Sequence, residues 1–433
     1  MRRALLALSV LVALTTSAAA QQPAIVRHVL PNGLVVLVRE DPAVGVVAAS
    51  LLVRSGSAFE TADTAGVTNF LQRAMLRGTK RHSTLALAEA AEELGGAVDA
   101  SGDVDYAEVR ATALARHWEA LLALLAEVAL EPTLPAGEIE KERALILGQL
   151  QTRADQPFPR AFDIALADLY GGHPYAWPAL GRSESVARLT RAALLERYAA
   201  VYRADRMVLA VSGGVPRQRV IAVAERLFKR VPGTADAAMG PATEAAPRGE
   251  RRLVEREARQ AQVLVGFLAP PLTHPDYAAM RVLGAVLGGG MSSRLFVELR
   301  DRRGLAYSTG VLTTNRTGPA LFLPYLGTAP ANADAAVAGV LAEVDRLRRD
   351  RVDERELARS KAWLLGNLAM DRRTSARHAW YLAFFELVGG GWDWPERYAQ
   401  AVEAVSVADL ARVAERYLAR PTVIVLRPAG ATQ

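Results

Sequence analysis

The side chains that most often carry chemistry are few in this chain and poorly spaced for it. Six histidines stand at positions 28, 82, 117, 173, 274 and 378, and no pair has the helical interval that would put two imidazoles around one metal ion. Cysteine is absent, which removes disulfides and thiolate metal sites together. The run Gly288, Gly289, Gly290 is not followed by Lys-Ser or Lys-Thr, and no G-x-G-x-x-G opens after a strand, so the pattern of a phosphate cradle is missing. It reads better as a flexible connection between helical stretches. Arg300 opens a basic run to Arg303, and Tyr307 follows. A guanidinium and a phenol both donate hydrogen bonds. From the local sequence alone, Arg300 reads better as a solvated arginine and Tyr307 as a strand aromatic.

The elements that must position these groups fall into two similar series. Residues 35–39, 46–53, 104–114 and 207–212 read as strands, with helical patterns at 65–77, 85–94, 116–129, 136–155 and 194–202. Residues 232–248, rich in Ala, Gly, Pro and Thr without periodicity, read as a linker. The order then repeats. Strands are expected at 262–267, 307–314, 320–327 and 423–427, and helices at 275–287, 293–301, 332–348, 353–371 and 376–388. Two halves of similar length and order suggest internal duplication: an α+β fold of two homologous domains, 21–231 and 249–433, each a mainly antiparallel sheet with helices on one face.

Composition limits the function classes. A chain of 433 residues exceeds one ordinary core. Its hydrophobic residues, 51% of the total, are dispersed among charges, as in soluble globular proteins. The formal charge is +6, but the basic residues at 346–351 sit among acids along a helical stretch, which argues for solvated helix faces and against nucleic-acid binding. Residues 1–20 differ. Arg2 and Arg3 precede an apolar stretch over 4–14, and Ala18, Ala19 and Ala20 form an A-x-A site, the three parts of a secretory signal peptide. Export to the periplasm or medium is therefore expected, with Gln21 beginning the mature chain. No later stretch has the length of a membrane helix; the richest, 118–130, is interrupted by Glu119 and Glu127.

The stretch Gly66-Val67-Thr68-Asn69-Phe70-Leu71-Gln72-Arg73-Ala74-Met75-Leu76-Arg77-Gly78-Thr79 resembles the inverted zinc motif, His-x-x-Glu-His, of the M16 metallopeptidases (pitrilysin, insulinase and mitochondrial processing peptidase). The similarity continues through His173-Pro174-Tyr175, Gly181 and Val211-Ser212-Gly213-Gly214. It extends to Leu287-Gly288-Gly289-Gly290-Met291-Ser292-Ser293-Arg294-Leu295-Phe296 and on to Tyr307-Ser308, nearly the whole of the expected mature chain.

On that resemblance, the zinc ligands fall on Asn69, Arg73 and Gln149, and the general base on Gln72. Asn is a poor zinc ligand, Gln lacks a basic lone pair, and Arg is permanently cationic without an acceptor. No metal is expected in this chain. The resemblance also gives Arg300 and Tyr307 the role of the pair that reaches toward the zinc site from the second half and holds the substrate carbonyl. It gives Val98, Asp99 and Ala100 that of an edge strand able to pair with an extended peptide. It therefore implies one half of a clam-shaped chamber, with zinc brought by an M16 paralogue that keeps His-x-x-Glu-His. Peptides would be the substrate and Arg300 and Tyr307 would act in trans. An inactive scaffold or peptide-binding protein, similar to the core subunits of the respiratory bc1 complex, is the alternative.

Overall fold

The structure is a computed structural model that describes residues 24–233, 245, 246 and 248–429. The expected signal peptide lies outside the described residues, as do positions 234–244 and 247 of the expected linker. In the first half, β1 (Ile25–Val29), β2 (Val35–Glu40) and β3 (Val46–Val53) precede α1 (Val67–Met75) and α2 (Thr84–Glu93). After β4 (Ala97–Gly102) and β5 (Ala107–Leu114) come α3 (Trp118–Leu130), α4 (Ala136–Asp155), α5 (Pro157–Tyr170), α6 (Ser183–Arg188) and α7 (Arg191–Val201). β6 (Met207–Gly213) and α8 (Arg217–Phe228) close the half. The second half holds β7 (Arg251–Glu255), β8 (Ala261–Ala269), α9 (Tyr277–Gly288), a π-helical turn (Phe296–Arg302), β9 (Ser308–Thr313) and β10 (Ala320–Thr328). It ends with α10 (Ala333–Arg349), α11 (Glu354–Asp371), α12 (Ser375–Leu387), α13 (Trp394–Ala404), α14 (Val407–Tyr417) and β11 (Thr422–Arg427).

Two sheets carry one topology. The first runs β1-β2-β6-β3-β5-β4 and the second β7-β11-β8-β10-β9. With β1 set aside, the strands correspond one to one. Each sheet has a single parallel pair, β2 with β6 and β7 with β11, and is otherwise antiparallel. This is the α+β duplication that the order of elements predicts.

Burial shows how the halves are joined. Seven of the eight residues of β3 and all seven of β6 are buried. Strands that are apolar along their whole length belong to sheets covered on both faces. On one face of the first sheet, Val36, Val38, Ala49, Leu51 and Leu209 meet helices of their own half. On the other, Leu37, Ala48, Leu52, Val208 and Ala210 join the core of the second half, because α12 lies across β3 and β6. The exchange is reciprocal. Leu264, Leu268, Leu323, Ile424 and Leu426 of the second sheet pack on Ala161, Ala165 and Leu169 of α5. Each half's other helices cover one face of its sheet, and each lends one helix to its neighbour. Phe384 and Phe385 of α12 are 3% and 1% exposed, worth roughly 1.5–3 kcal/mol each in apolar burial.

Polar contacts fix the register of this exchange. Trp380 of α12 donates to the Tyr106 hydroxyl at 3.2 Å and stacks on Phe384 at 4.6 Å. Where the β4–β5 turn of one sheet meets the β9–β10 turn of the other, Asp105 accepts from Tyr175 (2.6 Å) and Thr317 (2.7 Å). Arg316 lies 3.3 Å from Asp103 and 3.6 Å from Asp105. This turn explains why the strand expected at 104–114 begins only at Ala107. The helix α5 is absent from the sequence-based expectations, although its inward face carries Leu169 and Tyr170 beside Ala161 and Ala165.

His378 places a titratable group in this packing. Burial pushes its imidazole down to about 4 from an ordinary 6.5, reinforced by Arg39 of the first half and by Arg372, and opposed by Asp41 and Glu396. The unfolded chain takes up this proton as pH falls below the ordinary value, while the folded chain resists until about 4. The stabilising contribution is therefore complete above the ordinary value and lost as pH drops through that window. Melting curves of the unaltered chain and His378→Gln should converge near neutrality. Toward about pH 4.5 the unaltered chain should lose more stability than the variant. Parallel pH profiles would contradict this.

Candidate functional site

The helix α1 owes its place to a buried polar anchor at its first turn. Gly66 caps it with φ 95°, a left-handed conformation that glycine adopts without a Cβ penalty. A Cβ there would also stand 2.8 Å from Gly181 Cα. The Glu60 carboxylate, 5% exposed, accepts from the Gly66 and Thr68 amides at 2.7 and 2.8 Å. It thus satisfies donors that a helix N-terminus leaves free. Burial pushes this carboxyl above its usual range, against the hydrogen bonds from Thr68 and the charge of Arg197. Arg197 donates to Ser55 and Thr68 (both 3.0 Å) and to the Phe59 carbonyl (3.1 Å), tying α7 to the same turn.

The face of α1 thus presented holds Asn69, Gln72 and Arg73. Gln72 is fully buried and engages Tyr202 through both amide atoms. Its Nε2 donates to the phenol at 2.9 Å and its Oε1 accepts from it at 3.0 Å. A carboxylate here could accept from Tyr202 but not return a bond, so the amide suits this buried pair. Asn69 Nδ2 is buried without a hydrogen-bond partner. Arg73 donates through Nε to Glu142 of α4 and through a terminal nitrogen to Gln149 Oε1 at 2.6 Å. Arg77, one turn on, donates to the other Glu142 oxygen at 2.7 Å. The Glu142 side chain has no solvent exposure, and two guanidinium groups offset its charge.

The structure therefore brings positions 69, 72, 73 and 149 together, and what it assembles is the reverse of a cation site. At positions 69 and 73 the buried Asn69 Nδ2 and the Arg73 guanidinium are donors, and the Gln149 Oε1 acceptor is already taken by Arg73, where zinc needs free acceptors. The guanidinium joins positions 73 and 149 directly. These residues do not fit zinc, and no zinc-dependent step can be assigned to them. Among the described residues there is no group of three or more His, Asp or Glu side chains able to hold a metal. Sequence reasoning passed over Arg77 and Tyr202 as members of this cluster. Arg77 was discoverable, since it lies four residues from Arg73 on the same helical face; Tyr202 left no local signal.

The remaining candidates lie elsewhere on the surface. The strand β4 is the outer strand of its sheet and places Val98, Asp99 and Ala100 at an open edge. Asp99 Oδ1 accepts the Ala100 amide at 2.8 Å, and the other carboxylate oxygen accepts from Arg110. The end of β4 runs against α1, since a Cβ on Gly102 would stand 2.9 Å from Asn69 Cα. Arg300 lies in the π-helical turn, exposed, with its guanidinium 4.8 Å from the centre of the Phe296 ring. Its neighbour Arg302 is paired with Glu298 at 2.6 Å, but Arg300 has no ion pair among the described residues. Tyr307 is 60% exposed, held by its amide donating to the Gly327 carbonyl at 2.9 Å, and its phenol has no hydrogen bond among the described residues. No hydrogen bond or ion pair among the described residues joins this pair to α1.

The guanidinium cluster is testable through stability. Replacing Arg73 by Met leaves the buried Glu142 with Arg77 alone, at an expected cost of about 1–3 kcal/mol. Adding Glu142→Leu removes the charge as well and should recover part of that loss. Urea denaturation of both variants measures this; an Arg73→Met chain as stable as the unaltered one would contradict the assignment.

Comparison with known proteins places these features in a family. Residues 35–182 match the model of insulinase (peptidase family M16), and residues 188–364 that of the peptidase M16 inactive domain. A Mycobacterium tuberculosis protein described as an uncharacterized zinc protease is 32% identical over 398 residues, 91% of each chain. A Mycobacterium leprae protein of the same description is 30% identical over 406 residues, 92% of this chain and 91% of its own. Among solved structures, a protease from Helicobacter pylori superposes with a TM-score of 0.88 at 23% identity, covering 94% of this chain and 100% of that one. A peptidase M16 inactive domain from Pseudomonas fluorescens gives 0.88 at 22% identity, covering 94% and 99%. The duplicated α+β fold, the coverage of both halves and the donor-filled metal positions together establish that this chain belongs to the M16 peptidase family, as an inactive-type member without the zinc-binding residues.

Proposed function

We propose that this chain is the zinc-free subunit of a heterodimeric M16 peptidase and acts on peptides only in company with a zinc-bearing paralogue. The observation that carries the reading is a contrast. Positions 73 and 149 are tied together with Glu142 and position 72 is paired with Tyr202, while Arg300 and Tyr307 remain exposed with no ion pair or side-chain hydrogen bond among the described residues. An aromatic kept for the chain's own stability would be expected to find cover, and Arg300 has only the face of its neighbour Phe296. These two instead offer donors outward, as a group that works on another chain's reacting carbonyl must.

In this account the partner supplies His-x-x-Glu-His, its zinc and the attacking water. This chain contributes half of the chamber, and the guanidinium of Arg300 and phenol of Tyr307 hold the substrate carbonyl as negative charge develops on it. The open edge at Val98–Ala100 is the place where an extended substrate could add as a strand. Both chains would work outside the cytoplasm, as the N-terminal pattern of Arg2, Arg3 and Ala18–Ala20 suggests.

The test is reconstitution. An exported M16 paralogue with the intact motif should cleave an unstructured peptide weakly alone and strongly when mixed with this chain. In the mixture Arg300→Ala should lower turnover by about a hundredfold, the order of effect expected for one oxyanion donor. A paralogue as active alone as in the mixture, or an Arg300→Ala mixture of full activity, would overturn the proposal and leave a scaffold role.

A further inference from the structure

A cavity of about 370 Å³ opens in the second half, with no residue of α1 and neither Arg300 nor Tyr307 in its lining. It lies among α9, α11, α12 and α13, and its walls are aromatic: Tyr277, Trp363, Phe385, Trp394 and Tyr398. Phe385 stacks on Trp394 at 4.1 Å and Trp394 on Tyr398 at 4.6 Å, so this wall is braced on both sides. Into it faces Arg281, a cation on the otherwise apolar inner side of α9.

The charge balance is what singles the cavity out. Arg281 donates to Thr313 Oγ1 at 2.5 Å, which occupies one of its five N–H groups. Among the described residues no carboxylate lies within ion-pair distance of it. The other charged group in the lining, Asp371, is already engaged by Arg377 and accepts from Tyr381 at 2.8 Å. Tyr398, 8% exposed, lies beside the guanidinium, and its buried hydroxyl has no hydrogen-bond partner of good geometry. A partly buried cation without a counter-ion is costly, and the buried Tyr398 phenol has no neighbouring partner among the described residues but that same guanidinium. Here both line one cavity large enough for a small organic ligand.

We propose that this cavity binds a monocarboxylate with an apolar body, its carboxylate on Arg281 and Tyr398 and its body between the aromatic walls. The guanidinium fork matches a carboxylate in geometry as well as charge. Such a group could belong to a free small acid or to the C-terminus of a peptide ending in an aromatic residue. The site is independent of the proposed role of Arg300 and Tyr307.

Calorimetric titration of the full chain tests it with phenylacetate against the neutral phenylacetamide, and with a peptide ending in phenylalanine as free acid against its C-terminal amide. Trp363 and Trp394 in the wall provide a fluorescence readout of the same binding. At least one acid should bind about tenfold or more tightly than its amide, and Arg281→Met should abolish the preference. Preference confined to phenylacetate assigns a free small acid, whereas preference shared by the peptide assigns a chain terminus. If neither acid outbinds its amide, or Arg281→Met keeps the preference, the proposal fails. The acid-to-amide comparison on the unaltered chain decides the matter even where the variant does not fold.

Discussion

Double-sided burial of two sheets is the constraint on which the rest of this molecule depends. Neither sheet can bury its second face with its own helices, because that face is filled by α12 in one case and α5 in the other. The halves are therefore not independent modules set side by side. Each is completed by its neighbour, and the paired turns at Asp105 and Arg316 hold that exchange in register. The α1 face and the π-helical turn are consequently fixed to a shared frame rather than hung on a hinge between separate cores.

Within that frame the first half has solved an electrostatic problem in an unusual way. The Glu142 carboxylate is fully buried, and such a charge needs compensation. Arg73 and Arg77 supply it, and Arg73 spends a further donor on Gln149. Gln72 is absorbed into a closed pair with Tyr202. These substitutions support one another: a cation, an amide pair and an amide acceptor fit together where imidazoles and carboxylates around zinc would have fitted together. Reverting any one of them alone would break a satisfied contact without creating a metal site.

Much of this was legible in the residues. The altered positions 69, 72, 73 and 149 follow from motif and chemistry, and the duplication follows from the repeated order of strands and helices. The apolar runs of β3 and β6 carry the information that both faces are covered. Which helix covers them could not be read, because α12 comes from the other half of the chain and reads as any other amphipathic helix. The edge strands β1 and β7, with the sequences IVRHV and RRLVE, are too short and polar to announce themselves. Long-range polar pairs such as Gln72 with Tyr202, or Arg281 facing residues of α13, depend on tertiary placement and leave no periodic trace.

The central claim is that a guanidinium cluster has replaced a metal centre in this chain. Zinc content measured by elemental analysis on the purified chain, after equilibration with zinc and dialysis, addresses it most directly. The account predicts no more than trace zinc, because the α1 face offers donors to a cation. One tightly held zinc per chain would contradict it.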